Sequence, residues 1–430
     1  KACHGDDCDF AKGYYDRLPD ALAGAMQVQA LNRAGVEALA REYTVCPYQL
    51  AMDLVPWVDM SIGDVHYVFS YHASLSGHFQ ASEQRWSVLL DEAHNLPGRA
   101  RKMFSAQLRK SDVIAVRRAS TGSVKRALDR CNRECLALQN LDWNEPEFHI
   151  ETELPDKLLF ALQSLVSAIS ELQVKNPAYV QQNPQLMDLF FNVLQCLRVA
   201  EAWGEDYRME LSRGETAQSL VANSSCIEGA RQLRERLAVM HAIVAFSATV
   251  SPAHWVMSEL GLSEEAVFVD LPSPFLREQY VVQLHTGVDT RYRARQRTLP
   301  DLAATIVEWL QGVTGNCIVY FPSYHYMQTI IDLVRSRSLH RHVMVQQRES
   351  DERTREHIVD TLKVRDDVVA FCILGGVFGE GIDLPGDALR SVVIVGVGLP
   401  QFNRSTQTLS DYYQQRYGRG FEYAYQYPGM

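Results

Sequence analysis

An α/β chain is what this sequence predicts. Its apolar runs Val88-Leu89-Leu90, Ala242-Ile243-Val244-Ala245-Phe246, Cys317-Ile318-Val319-Tyr320-Phe321, Ala370-Phe371-Cys372-Ile373-Leu374 and Ser391-Val392-Val393-Ile394-Val395 are short and continuous, as buried parallel strands are. The runs stop at acids, small hydroxyl residues, prolines or glycines, and in open α/β sheets ligands collect just beyond the carboxyl ends of such strands. A domain-sized block between the first two runs steps its apolar residues at helical spacing instead.

Length and composition narrow the field. A chain of 430 residues holds two to four domains at roughly 100–200 residues each. Its 47% apolar and 22% charged content is ordinary for a globular protein. No run approaches the roughly 20 apolar residues of a membrane span, and no signal peptide opens the chain, so a soluble intracellular protein is expected. The net charge of −10 argues against a surface coated in positive potential for duplex DNA, while leaving room for a local basic channel. Nine cysteines, an odd number in a large chain, make ligation a better reason to look at them than a disulfide framework.

Taken in order, the chain begins with Cys3-His4-Gly5-Asp6-Asp7-Cys8 in a Gly/Asp-rich loop, and Cys46 follows well downstream. Three thiols on loops suit an iron–sulfur cluster, and spacing alone leaves zinc equally open. The segment Asp64–Leu75 alternates weakly and reads as a strand running into a turn, where Tyr71 and His72 are either base-stacking groups or core residues. At Asp91-Glu92 an apolar strand stops at two adjacent carboxylates. In nucleoside triphosphatases an acid in this place holds the magnesium on the phosphates and a neighbour orients the attacking water. A solvated turn would read the same way.

From about Lys110 to Arg234 the pattern is helical, with Leu158, Leu162, Leu165 and Ile169 in one stripe and Leu186, Leu189, Val193 and Leu197 in another. Pro155-Asp156 and Asn183-Pro184 are helix-start signals. Cys131, Cys135, Cys196, Cys226, Cys317 and Cys372 read as small buried hydrophobes. Ser247-Ala248-Thr249 follows the next strand and serves as a turn or a helix cap. Arg291, Arg293, Arg295 and Arg297 alternate. An extended chain would point all four one way, toward phosphates, whereas a helical segment would spread them around its surface, before a helix expected to start near Pro300. The glycines from Gly375 to Gly381 allow positive φ and close backbone approach.

Several of these stretches share a resemblance. Leu89-Leu90-Asp91-Glu92-Ala93-His94 resembles motif II, the DEAH box, of superfamily 2 helicases. Cys46-Pro47-Tyr48-Gln49-Leu50-Ala51, with Ala11-Lys12-Gly13-Tyr14-Tyr15-Asp16-Arg17-Leu18-Pro19 upstream, resembles the iron–sulfur insertion of the XPD/DinG family. Ser247-Ala248-Thr249-Val250-Ser251-Pro252 resembles motif III, Cys317–Tyr324 motif IV, and Gly379-Glu380-Gly381-Ile382-Asp383 motif V.

The resemblance implies two RecA-like domains of P-loop NTPase type, the first interrupted by an iron–sulfur insertion and a helical arch. The implied divisions are 1–52 for the cluster insertion, 53–110 with 235–270 for motor domain 1, 111–234 for the arch and 271–430 for motor domain 2. The implied cofactors are ATP, Mg²⁺ and a [4Fe-4S] cluster held by Cys3, Cys8, Cys46 and a fourth cysteine before Lys1. The implied catalytic group is Asp91 on Mg²⁺, Glu92 on water, and His94. Coupling and nucleotide contacts fall to Ser247, Ala248, Thr249, Gly379, Glu380, Gly381 and Asp383, and candidate DNA contacts to Tyr71, Arg291, Arg293, Ser323 and Tyr324.

The implied function is ATP-dependent DNA unwinding with 5′-to-3′ tracking on a single strand, in repair or replication. Single-stranded DNA, DNA junctions and nuclease or repair proteins are the expected partners of a monomer in the cytoplasm of a bacterium, or otherwise inside the cell. No Gly-x-x-x-x-Gly-Lys-Ser/Thr loop occurs in the chain. The family places that loop before Lys1 and its motif VI after Met430, so the 430 residues alone are expected not to turn over ATP. A catalytically silent DNA-binding scaffold is the alternative from another class, and a DEAH RNA helicase is disfavoured by the cysteine insertion.

Overall fold

The computed structural model describes residues 8–81, 85–143, 145–214, 216, 219–335, 340–349, 352–379 and 381–429. The chain divides into two compact units, Lys1–Phe268 and Val269–Met430.

The first unit opens with helices α1 (Tyr14–Ala25), α2 (Arg33–Glu42) and α3 (Pro47–Leu54). They close around Tyr14, Ala21, Ala25, Ala40, Val45, Leu50 and Leu54. Asn32 starts α2 by accepting Gly35 N–H at 2.9 Å, and Pro47 starts α3 at a position that needs no N–H donor. Next comes α4 (His66–Phe69), where the sequence reading expected a strand, and then α5 (Ser76–Ala81). Asp64 decides the matter: its carboxylate accepts His66 N–H at 2.9 Å and its carbonyl accepts Tyr67 N–H at 3.1 Å. That start signal prevails over a weak alternation.

The rest of the unit runs β1 (Ser87–Leu90), α6 (Leu96–Met103), β2 (Ala106–Arg109), α7 (Lys110–Ala119), α8 (Gly122–Gln139), β3 (Phe148–Glu151), α9 (Asp156–Lys175), α10 (Pro177–Gln181), α11 (Pro184–Glu201), β4 (Tyr207–Ser212), β5 (Val221–Cys226), α12 (Ala230–Leu237), β6 (Ala242–Ala245) and α13 (Ala253–Glu259). Strand β1 pairs in parallel with β6 across the whole intervening block. Helices α9 and α11 begin at the two predicted start signals; α9 buries Leu158, Leu162, Leu165 and Ile169, and α11 buries Leu186, Leu189 and Val193 while Leu197 is partly buried.

The block 111–234 is nevertheless not wholly helical. It contributes three strands to a four-stranded antiparallel sheet, β2-β5-β4-β3, that the helical reading missed. Polar residues intersperse those strands: Glu210 of β4 is 4% exposed, and Ser225 Oγ of β5 donates to its Oε2 at 2.6 Å. Strand β4 does alternate, with Tyr207, Met209 and Leu211 buried on one face, but the alternation spans only six residues, whereas β5, Val-Ala-Asn-Ser-Ser-Cys, is mostly small and polar.

The second unit holds α14 (Arg295–Gly312), β7 (Cys317–Phe321), α15 (Tyr324–Arg335), β8 (His342–Val345), α16 (Glu352–Val364), β9 (Val368–Ile373), β10 (Ser391–Ile394) and α17 (Arg404–Tyr417). Its sheet is parallel throughout in the order β10-β7-β9-β8. Successive side chains go to opposite faces. Cys317, Val319, Phe321, Val369 and Phe371 join α14 and α15 in one core, while Ile318, Val368, Ala370 and Cys372 join Ile358 and Leu362 of α16 in another. Burial on both faces is why β7 and β9 read as unbroken apolar runs. The short β8 escaped the sequence reading.

Candidate active site

The pairing of β1 with β6 builds the site. Leu90 stands opposite Ala245, and the ladder continues past both strand ends: Phe246 N–H donates to Leu90 O at 2.9 Å and Ala93 N–H to Phe246 O at 3.1 Å. This extension brings Ser247 beside the acidic turn, although the two lie 155 residues apart in sequence. Ser247 Oγ is 2.6 Å from His94 Nδ1 and donates to Glu92 Oε2 at 3.2 Å, while His94 Nδ1 lies 3.4 Å from the same carboxylate oxygen. Asp91 Oδ1 accepts Glu92 N–H at 2.8 Å.

Glu92 adopts φ 47° and ψ 44°. A non-glycine residue in that left-handed region is strained by on the order of 1–3 kcal/mol and persists where the surroundings over-determine it. Here the bond from Ser247 and the continued ladder do so. Asp91 and Glu92 also line a cavity of about 50 Å³ with Val65, Leu90, Ala93, Asn95, Leu96 and Arg99. Ala248 and Thr249 lie exposed just after Ser247, and Thr249 N–H reaches Ser247 Oγ at 3.4 Å.

In the second unit the remaining site residues gather at the carboxyl edge of the sheet. Ser323 Oγ accepts Tyr326 N–H at 3.3 Å and so caps α15. Tyr324 is tied to the glycine-rich loop by a residue the sequence reading missed. Gln346 Nε2 donates to Tyr324 Oη at 3.1 Å, and Gln346 Oε1 accepts Ile373 N–H at 2.9 Å. Its place at the end of the unrecognised β8 was the available signal. Gly375 and Gly381 have φ of 67° and 69°, the conformation for which glycine is suited. Arg355 of α16 donates to Gly381 O at 3.1 Å, and Tyr320 Oη to Phe378 O at 2.5 Å. Gly379 and Asp383 are exposed. Glu380 lies outside the described residues.

Two groups of candidate DNA contacts, among the alternating arginines and at Tyr71, have partners within the protein. Arg291 is forked onto Asp289, Nε to Oδ1 at 2.9 Å and Nη2 to Oδ2 at 2.6 Å, and these hydrogen bonds hold the Asp289 carboxyl down at about 2. Helix α14 begins at Arg295, before Pro300, and Arg295 covers the Tyr326 ring. The alternating arginines therefore form no single row; Arg293 is exposed. Tyr71 packs edge-on against Phe104 with Arg236 over its ring, and its hydroxyl meets that of Tyr207 at 3.1 Å. That is the core environment of the two readings left open.

Among the cysteines, burial pushes the thiols of Cys131, Cys196 and Cys372 up to about 12 and that of Cys135 to about 11, so they stay protonated and ligate poorly. Cys8 and Cys46 are partly exposed. Cys3 lies outside the described residues, and among the described residues no group of three or more His, Cys, Asp or Glu side chains is placed to hold a metal ion. Among them also, no helix is long and apolar enough to cross a membrane.

Two family models match the chain: the helicase C-terminal domain over residues 306–430 and DEAD_2 over residues 1–113. A probable ATP-dependent helicase of Methanocaldococcus jannaschii is 28% identical over 167 residues, covering 37% of this chain and 24% of that protein. The regulator of telomere elongation helicase 1 homolog of Anopheles gambiae is 22% identical over 477 aligned positions, covering 90% of this chain and 47% of that protein. The chain thus spans less than half the length of each of these relatives. Among solved structures, an XPD helicase superposes with a TM-score of 0.56 at 16% identity, covering all of this chain and 77% of the other. Xpd4 of S. tokodaii gives 0.50 at 14% identity, covering 95% of this chain and 87% of the other.

Proposed function

We propose, since the chain belongs to the XPD/DinG-like superfamily 2 helicases, that the intact protein is an ATP-dependent DNA helicase. The observation that carries this reading is Ser247 Oγ set between Glu92 Oε2 at 3.2 Å and His94 Nδ1 at 2.6 Å. It joins the acidic end of one strand to the hydroxyl end of the next, so a change at either is felt at the other.

The residues fit the expected groups. Exposed carboxylate oxygens at Asp91 suit a hard divalent cation, and Mg²⁺ bound there would draw charge from the phosphates in the transition state. Glu92 orients a water and takes its proton, the contribution expected of a positioned general base. Ser247 and His94 fix the Glu92 carboxylate in place and pass its state to the exposed Ala248-Thr249 segment. In the second unit the exposed residues Gly375, Gly379, Gly381 and Asp383, with Ser323 and Tyr324, follow the carboxyl ends of their strands and suit contacts with the backbone of a single strand.

Cys8 and Cys46, with Cys3 and a further cysteine, would hold an iron–sulfur cluster. Both described thiols are accessible, and both flank turns that one arginine ties together. Translocation runs 5′ to 3′ on single-stranded DNA, junctions are substrates, repair is the setting, and the protein works as a monomer inside the cell. Strand separation tests the reading. With ATP, a duplex bearing a 5′ single-stranded tail should be opened and one bearing a 3′ tail should not. The opposite preference would overturn the polarity, and ATP hydrolysis without separation of either duplex would overturn the helicase reading.

A further inference from the structure

Arg17 lies on α1, one helical turn from Tyr14 and on the same face. Its Nη2 reaches three carbonyls, Asp9 O at 2.9 Å, Lys12 O at 2.6 Å and Thr44 O at 2.7 Å, and its Nε reaches Thr44 O again at 3.1 Å. Asp9 and Lys12 belong to the turn that Cys8 opens, in which Cys8 O accepts Ala11 N–H and Lys12 N–H at 2.9 and 3.0 Å. Thr44 lies two residues before Cys46. A single guanidinium therefore holds both cysteine-bearing turns.

The Thr44 side of this bracket is strained. Helix α2 ends with Val45 N–H donating to Ala40 O at 2.9 Å and Thr44 N–H to Arg41 O at 3.3 Å, the paired bonds of a Schellman cap. The left-handed residue in such a cap is usually glycine, yet Thr44 has φ 54°, and a β-branched residue there is a genuine outlier. Strain of this kind persists where surrounding contacts over-determine the conformation, and the two bonds from Arg17 to Thr44 O do so. Tyr14 supports the same joint from the next turn of α1, donating from Oη to Asp53 Oδ2 of α3 at 2.7 Å. Helix α3 is the helix that Cys46 precedes.

We infer that Arg17 is a positioning residue that sets the separation of Cys8 and Cys46 before any cluster binds. The inference rests on the iron–sulfur reading above for its purpose, but the bracket itself is a property of the polypeptide. Outer-shell groups that orient ligands typically change metal affinity by roughly 10–100-fold, so their loss is measurable without abolishing the fold.

The test pairs two readouts on the intact protein. In anaerobically purified protein, iron release to a chelator should be roughly tenfold faster in Arg17→Ala, with Arg17→Lys intermediate because an ammonium reaches some of the same carbonyls without the planar fork. In metal-free protein carrying Cys3→Ser, dibromobimane should cross-link Cys8 to Cys46 readily with Arg17 present and several-fold less in Arg17→Ala. Thr44→Gly, which relieves the strain and keeps the carbonyl, should retain cross-linking, iron and melting temperature. If Arg17→Ala fails to fold, Arg17→Lys carries both comparisons. Equal iron release and equal cross-linking in the wild type and the Arg17 variants would overturn the inference. Wild-type protein that is colourless and free of iron would overturn the cluster reading, while the cross-linking arm would still decide the role of Arg17.

Discussion

The two parallel sheets use the same kind of strand in opposite surroundings. In β7 and β9, Cys317, Ile318, Val319, Phe321, Val369 and Phe371 are all 0% exposed, with cores on both faces. In β1 and β6, Leu89 is 66% and Val244 55% exposed, although the ladder between those strands is regular. What differs is the source of order. Strands β7 and β9 are fixed by packing on both faces, whereas the acidic turn after β1 is fixed by backbone hydrogen bonds and by the Ser247 bridge. Substitutions inside β7 and β9 should therefore report on stability, and substitutions at the ends of β1 and β6 on chemistry.

The largest expected effect breaks or keeps that contrast directly. In the 430-residue chain, Phe371→Ala should destabilise the second unit by roughly 3–5 kcal/mol, as large-to-small core changes do, while Leu89→Ala, at a side chain 66% exposed in those residues taken by themselves, should cost under about 1 kcal/mol. Denaturant unfolding of the two variants measures both, and similar losses would remove the distinction. Next in size is Asn316→Ala. Asn316 is 0% exposed; its amide donates to Leu362 O, Arg365 O and Ala388 O and its carbonyl accepts Val368 N–H. Orphaning these groups should cost roughly 3 kcal/mol in the same measurement.

Smaller in stability but larger in function is Ser247→Ala, which should lower the unfolding free energy by about 1.5 kcal/mol. It should slow DNA-stimulated phosphate release about tenfold or more, since a hydrogen bond to a charged group is worth roughly 1.5–3 kcal/mol. The smallest effect sharpens the view of the second unit's sheet edge. Tyr324→Phe removes the hydroxyl that Gln346 meets and should lower stability by about 1 kcal/mol, visible as a modest drop in melting temperature.

Much of this organisation can be read from the sequence, and what could not be read has physical causes. The strands at Val88–Leu90, Ala242–Ala245, Cys317–Phe321, Ala370–Ile373 and Ser391–Ile394 were legible because apolar residues dominate them. Strands β4 and β5 were not, because the alternation of Tyr207, Met209 and Leu211 is only six residues long and β5 is built mostly of small and polar residues. The helical turn at His66 was hidden because a single Asp64 cap outweighed a weak alternation. Within the candidate site, Asp91 and Glu92 stood out as acids at a strand end, and Ser247 as a hydroxyl at another. The contact between them was not visible, because it depends on the pairing of β1 with β6 across the whole intervening block. Gln346 and Arg17 act through backbone and hydroxyl partners that no local pattern specifies. The arginines at 291–297 show the converse, a conspicuous pattern resolved by Asp289 and by an early helix start.

The central claim is that the strand end at Glu92 is the water-activating side of an ATP site. Phosphate release by the intact protein, with and without single-stranded DNA, tests it most directly when wild type is compared with Glu92→Gln. That substitution keeps the size of the side chain and a carbonyl for Ser247 to meet while removing the base. Wild-type turnover stimulated by DNA, with a fall of about 100-fold or more in Glu92→Gln and nucleotide binding retained, is the predicted result. Undiminished turnover in Glu92→Gln would contradict it.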